Sequence, residues 1–228
     1  MIGSFLRVAW HVMRKDLTVE VRSREVLFTT LFFAVSVVLV FSFAIVREGR
    51  APDDVAAGIL WVAISFAGTL AMGRTFERER YNDTLRALIL APADRPAIYM
   101  GKLLGLLLLM LLVEAVLLPL VALLFSAPIL AFPVHLTLLL TAGTFGFCAV
   151  GTLFAAMLVR VRSRDTLLPV LLYPITIPVM IAGVRGTAAL FQAAPDEPMA
   201  RFWIGLLVFW DAVFVTLALW TFEPVMTE

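Results

Sequence analysis

Residues 74–102 read RTFERERYNDTLRALILAPADRPAIYMGK, a charged island between two apolar runs that are each long enough to cross a bilayer. Glu77, Arg78, Glu79 and Arg80 alternate in sign. Asn82 and Asp83 supply a turn and a helix N-cap, after which Leu85, Leu88 and Ile89 fall on one side of a short helix. Pro92 ends that helix. Asp94 is placed to cap the next one, with Arg95 behind it and Pro96 at an early position, where its missing N–H costs nothing. Two adjoining helices need only a handful of connecting residues. A connection this long, built of charge and a short amphipathic helix, is expected to be a docking surface between two membrane spans.

Outward from the island the chain is apolar. Of 228 residues, 62% are hydrophobic and 15% charged, with a mean hydropathy of +0.99. A soluble domain is nearer half apolar and a quarter charged, so this surface needs a lipid solvent. A helix crossing roughly 30 Å of hydrocarbon needs about 20 apolar residues, because its backbone groups are satisfied only within the helix. Six stretches qualify: 26–46, 55–73, 103–125, 134–159, 166–184 and 202–222. The expected fold is therefore an all-α membrane protein of six transmembrane helices forming one domain over 1–228. The connection 186–201, with Pro195 and Pro198, is long enough to hold a short interfacial helix.

Lys and Arg fix the orientation. Arg7, Arg14, Lys15, Arg22 and Arg24 precede the first span; Arg74, Arg78, Arg80, Arg86, Arg95 and Lys102 lie between the second and third; Arg160, Arg162 and Arg164 lie between the fourth and fifth. Only Arg47, Arg50, Arg185 and Arg201 fall on the other side, four against fourteen. Both termini are thus expected in the cytoplasm of a bacterial inner membrane. Residues 1–24 are too polar to span. Ile2, Phe5, Leu6, Ala9, Met13 and Leu17 line one helical face, with Arg7, His11, Arg14, Lys15, Thr18 and Arg22 opposite. Such a helix is expected to lie flat in the interface, cations toward anionic headgroups, as an anchor or as an elbow that also meets a partner.

The arrangement around residues 74–102 resembles the coupling region of six-span, type 2-like ABC exporter permeases. Further phrases narrow the resemblance: Lys15-Asp-Leu, Glu20-Val-Arg-Ser-Arg-Glu25, Phe76-Glu-Arg-Glu, Leu88-Ile-Leu-Ala-Pro-Ala-Asp-Arg95, Ile98-Tyr-Met-Gly-Lys-Leu-Leu-Gly105, Val113-Glu-Ala-Val-Leu-Leu-Pro119 and Val150-Gly-Thr-Leu-Phe154. In order and spacing they are similar to the haem exporter protein B (CcmB) family, the permease subunit of the cytochrome c maturation ABC transporter, over nearly the whole chain. The resemblance implies haem as the handled ligand and a separate ATP-binding cassette subunit docked through the helix around Leu85–Leu90. It also implies a second copy of this chain, a Trp-rich haem-handling membrane protein, a small single-span subunit and a haem chaperone. Whether haem crosses the bilayer here, or ATP drives release of a haem-loaded chaperone, is left open by these residues. Two alternatives also stand: an ABC permease for a lipid, polysaccharide or drug, and an ATP-independent scaffold or secondary transporter.

The chain itself is not expected to be an enzyme. Gly101-Lys102 is no phosphate loop, because Pro96 stands where the first glycine belongs and Leu103 where the hydroxyl belongs. ATP, if used, is bound by a partner. His11 and His135, the only histidines, fall on opposite sides of the bilayer, and Cys148 is the single cysteine, so neither a protease pair, a metal site nor a disulfide is expected. Nothing points to nucleic acid.

Glu114 and Asp211 lie near the middle of spans three and six. An acid at that depth costs roughly 2.5–3.5 kcal/mol, so each is expected to face protein and find a partner, either as a strut between helices or as a group that responds to transport. No Lys or Arg lies inside the six stretches to pair with them. His135, at the rim of span four, is a possible haem-iron ligand or simply interfacial. Trp203, Trp210 and Trp220 read as belt and packing residues. Pro119 in span three and Pro169, Pro174 and Pro178 in span five are expected to break or kink their helices, with Thr176 or a neighbour serving the freed carbonyls.

Overall fold

The computed structural model describes residues 2–45, 55–75, 95–159 and 161–227. Side chains are described for 3–45, 55–74, 95–159 and 161–222. The described residues form seven helices and no strand: α1 (Ile2–Ser23), α2 (Glu25–Ile45), α3 (Val55–Thr75), α4 (Arg95–Phe125), α5 (Pro133–Met157), α6 (Arg164–Phe191) and α7 (Glu197–Thr227). The last six are each long and apolar enough to cross a membrane.

A single residue joins α1 to α2. Arg24 takes a left-handed φ of 53°, unusual for a residue with a Cβ, and turns the chain within one step. Glu20 Oε1 accepts a hydrogen bond from the Leu27 N–H at 2.8 Å, occupying one of the donors that the start of α2 leaves unpaired.

α3 and α5 form the centre of the bundle. α3 packs on α2, α4, α5 and α6, and α5 packs on α3, α4, α6 and α7. Association between lipid-solvated helices depends on close packing and interhelical hydrogen bonds, because lipid is as apolar as the side chains themselves. Trp61 of α3 shows how this is met. Its indole is fully buried between Gly143 of α5 and Gly183 of α6, and its Nε1 donates to Thr187 Oγ1 at 3.0 Å. A Cβ at Gly183 would sit 2.5 Å from the indole, so glycine alone leaves room for the ring.

Three boundaries differ from the sequence expectation. The third span begins at Arg95, not residue 103, because residues 95–102 continue the helix and their inner face (Ala97, Ile98, Tyr99, Gly101, Lys102) is buried. The fifth runs to Phe191, since Thr187 to Phe191 remain packed against neighbours. With α7 starting at Glu197, the 186–201 connection shrinks to residues 192–196 and holds no separate helix. Pro198 falls in the first turn of α7, where no N–H is needed.

Pro119, Pro169, Pro174 and Pro178 all lie inside helices that are not interrupted, so the expected break is absent. Thr176 Oγ1 donates to Leu172 O at 2.9 Å and Tyr173 O at 3.4 Å. Those are not the carbonyls at 165, 170 and 174 that the prolines of α6 leave without an N–H, so Thr176 does not have the role expected of it.

Candidate functional site

Glu77, Arg78, Glu79, Arg80, Asp83, Leu85, Leu88, Ile89 and Asp94 lie outside the described residues. Arg95, the last of that group, opens α4 and is partly buried. What is visible is the set of helix heads that surround the exit and re-entry points of residues 76–94.

α1 lies on the head of α4. Ala9, Val12 and Met13 are buried there, and a Cβ at Gly101 would come within 2.6 Å of the Ala9 carbonyl oxygen and 2.7 Å of Val12 Cβ. One turn on, Gly105 faces Asp16. Lys102 is only 1% exposed, and its Nζ lies 2.9 Å from Asp16 Oδ2; Asp16 Oδ1 is 3.1 Å from Lys15 Nζ. A buried ammonium is tolerated only when paired, so the sequence places an acid within the otherwise apolar arc of α1. α1 is therefore seated on protein along Ala9–Asp16. Leu6, Trp10 and Val21 remain exposed beside that seat.

The other heads are also tied together. The buried Arg164 guanidinium of α6 donates to the Gly73 carbonyl of α3, and its Nε lies 3.5 Å from Asp165 Oδ1. Arg74 of α3 stands 3.4 Å from Glu25 of α2, an exposed pair of little energetic weight. Tyr99 of α4 donates to the Ala149 carbonyl of α5 at 2.9 Å and packs on Phe222 of α7 with ring centroids 5.3 Å apart. Lys102 and Arg164, read from the sequence as lying outside the apolar stretches, are thus inside the longer helices α4 and α6, as are Arg95 and Arg185. The missed signal was Asp16, an acid at helical spacing from Ala9, Val12 and Met13.

Deeper in the bundle, Glu114 is 2% exposed and accepts a hydrogen bond from Thr144 Oγ1 of α5. Asp211 is 8% exposed and belongs to the inward seam of α7 with Ala200, Leu207, Ala218 and Phe222. Its Oδ1 rests against Gly146 and has no hydrogen-bond partner among the described residues. Thr144 and Gly146 are two residues apart on α5, so the two acids flank that helix at similar depth, one toward α4 and one toward α7. Neither has an ion pair among the described residues.

At the opposite end from α1, His135 of α5 meets the first turn of α7. Its Nε2 lies 3.3 Å from Glu197 Oε1 and 3.3 Å from Arg201 Nε, which donates to it, and Arg201 also pairs with Glu197. Phe132 stands edge-on, with ring centroids 6.3 Å apart. The Nε2 that would ligate iron is engaged by two neighbours. No group of three or more His, Cys, Asp or Glu is arranged for a metal ion among the described residues. The tryptophans divide by environment: Trp220 is 80% exposed, Trp210 stacks on Phe214 at 3.8 Å, and Trp203 is half-buried beside Gly186. Trp61, the most buried of the five, carries no sequence cue beyond its apolar surroundings.

Comparison with known proteins places this arrangement. The family model described as CcmB protein matches residues 7–225. Heme exporter protein B of Pseudomonas aeruginosa is 29% identical over 176 residues, covering 77% of this chain and 78% of the relative. Heme exporter protein B of Rhodobacter capsulatus is 28% identical over 193 residues, 83% and 88% of the two chains. That of Paracoccus denitrificans is 30% identical over 206 residues, 90% and 91%.

Proposed function

The chain belongs to the CcmB family, and from that membership we propose that it is the membrane subunit of an ABC-type system that exports or delivers haem for c-type cytochrome biogenesis. The observation that carries this reading is the family match from residue 7 to residue 225. Six apolar helices support a multi-pass transporter subunit. The chain has no phosphate loop, so ATP hydrolysis belongs to a separate cassette subunit that docks on residues 74–95 through Leu85, Leu88 and Ile89. The excess of Lys and Arg in the sequence on one side of the apolar stretches, fourteen against four, supports a cytoplasmic location for that side and for both termini in the inner membrane. A second copy of the chain and a haem-handling membrane partner complete the assembly.

Of the two modes left open, the packing favours one. Trp61, Phe147, Met72 and Met110 fill the middle of the bundle. A filled centre suits a cycle in which ATP-driven movement acts on a partner, or between two copies, to release a haem-loaded chaperone.

The test is complementation in a bacterium lacking its own CcmB protein, read as covalent haem in periplasmic cytochromes. The wild-type chain restores it. Making Leu85, Leu88 and Ile89 all Asp abolishes both the restoration and co-purification of the cassette subunit, while the chain stays in the membrane. Output that follows the proton-motive force and ignores ATP would move the assignment to a secondary transporter.

A further inference from the structure

α1 is covalently continuous with α2 but packs far more extensively on α4. Its link to α2 is the single residue Arg24. Its seat on α4 combines a close backbone approach at Gly101 with an ion pair between the buried Lys102 and the partly exposed Asp16 at 2.9 Å. The position of α1 is thus set by the helix that follows residues 76–94, not by the one to which it is joined.

We infer that Asp16 and Lys102 are positioning residues for the transport cycle, making α1 part of the body that moves with the head of α4 and not a stationary membrane anchor. The inference rests on the proposed function, in which work enters through residues 74–95. Lys102 is seven residues beyond Arg95, about 10 Å along the helix, so displacement at Arg95 reaches the pair within two turns. Sliding α4 past α1 would part the Lys102 ammonium from Asp16 and press Gly101 into the backbone of Ala9. Carrying α1 along disturbs neither contact, and Arg24 is the place where the chain can bend.

The geometry supplies its own test. A Cβ at Gly105 lies 3.8 Å from Asp16 Cβ, at the centre of the range found in disulfides. Cys148, the single native cysteine, is buried and does not compete. Lys102→Met removes the buried charge and is expected to leave the chain and its cassette partner assembled, but to lower haem output per chain at least fivefold. Adding Asp16→Cys and Gly105→Cys replaces the lost ion pair by a bond that can be switched. Spheroplasts carrying the triple variant are oxidised or left reduced. Covalent haem in cytochrome c made afterwards is then measured per chain, relative to wild type treated identically. Oxidation is expected to raise output at least threefold over the reduced form. Output that falls or does not change on oxidation overturns the inference, because a static anchor gains nothing from the bond and a sliding one is blocked by it. Absence of output from the wild-type control condemns the proposed function instead.

Discussion

Replacing Thr144 by Val keeps the shape of the side chain and removes the one hydroxyl that donates to Glu114. Glu114 is all but inaccessible, so water cannot take over the lost bond. In soluble proteins, stranding such a group costs about 1–3 kcal/mol. Between membrane helices, pairwise hydrogen bonds average about 0.6 and reach about 1.7 kcal/mol, because the separated helices also find partners. The coupling energy between positions 144 and 114 is therefore expected in the range of about 0.6–1.7 kcal/mol, a factor of roughly 3 to 20 in the unfolding equilibrium. The assay is a double-mutant cycle of Thr144→Val and Glu114→Leu by reversible unfolding in mixed micelles or bicelles. Glu114→Leu is expected to be close to neutral for stability, since it also removes an acid whose placement costs roughly 2.5–3.5 kcal/mol. Its haem output, by contrast, should fall well below that of Glu114→Gln, which keeps an acceptor for Thr144. A coupling energy indistinguishable from zero would refute the pairing. Wild-type output from both Glu114 variants would remove the residue from the functional argument.

Further outcomes follow from the same contacts. Asp16→Ala should destabilise the chain by about 3–5 kcal/mol, the cost of taking a carboxylate from a buried ammonium. Lys102→Met should cost less, because Asp16 is 24% exposed and keeps Lys15 beside it; thermal inactivation of the two variants in the same detergent gives the order. Trp61→Ala empties the space between Gly143 and Gly183 and should cost about 3–5 kcal/mol, with Gly183→Val comparably harmful by collision, both read as chain recovered from membranes. His135→Ala leaves the Arg201–Glu197 pair in place and should change stability by under about 1 kcal/mol. It should leave the haem absorption spectrum of the purified complex unaltered, whereas loss of a Soret shift would restore His135 as a ligand.

Hydropathy carried the reading of six long apolar helices because spanning a bilayer constrains length and polarity so tightly. The reading slipped where a polar residue is buried by a partner distant in sequence. Lys102 looked like the end of a loop, but it lies within the head of α4, where Asp16, 86 positions away, pairs with it. Residues 186–191 looked like loop because Arg185 precedes them and Gly186 opens them, yet Gly186 is the seat for Leu139 and keeps the helix packed. The cluster of His135, Glu197 and Arg201 at the end opposite α1 was invisible because His135 stands in a different segment from the Glu197–Arg201 pair, and each reads as ordinary interfacial charge. Glu114 and Asp211 both lie inside long apolar helices, but their unequal situations, one bonded to Thr144 and one set against Gly146, depend on which helix stands opposite.

The head of α4 has two attachments that divide whatever force arrives at Arg95. Tyr99 leads to α5 and α7 through Ala149 and Phe222, and Lys102 leads to α1 through Asp16. Trp61 then locks α3 to α5 and α6. A body tied at so many points is not expected to open along its own centre; movement falls instead on boundaries where ties are few. Among the described residues, the junction at Arg24 is one such boundary, and the exposed faces of α2 and α7, with Phe28, Phe32, Phe43, Phe209 and Trp220, are another. Crosslinks that fix α3 to α5, such as one between positions 68 and 147, where Phe147 already touches Gly68, should therefore leave haem output within about twofold of wild type. If they stop it, the bundle itself must rearrange, and the rigid-body account of the cycle fails.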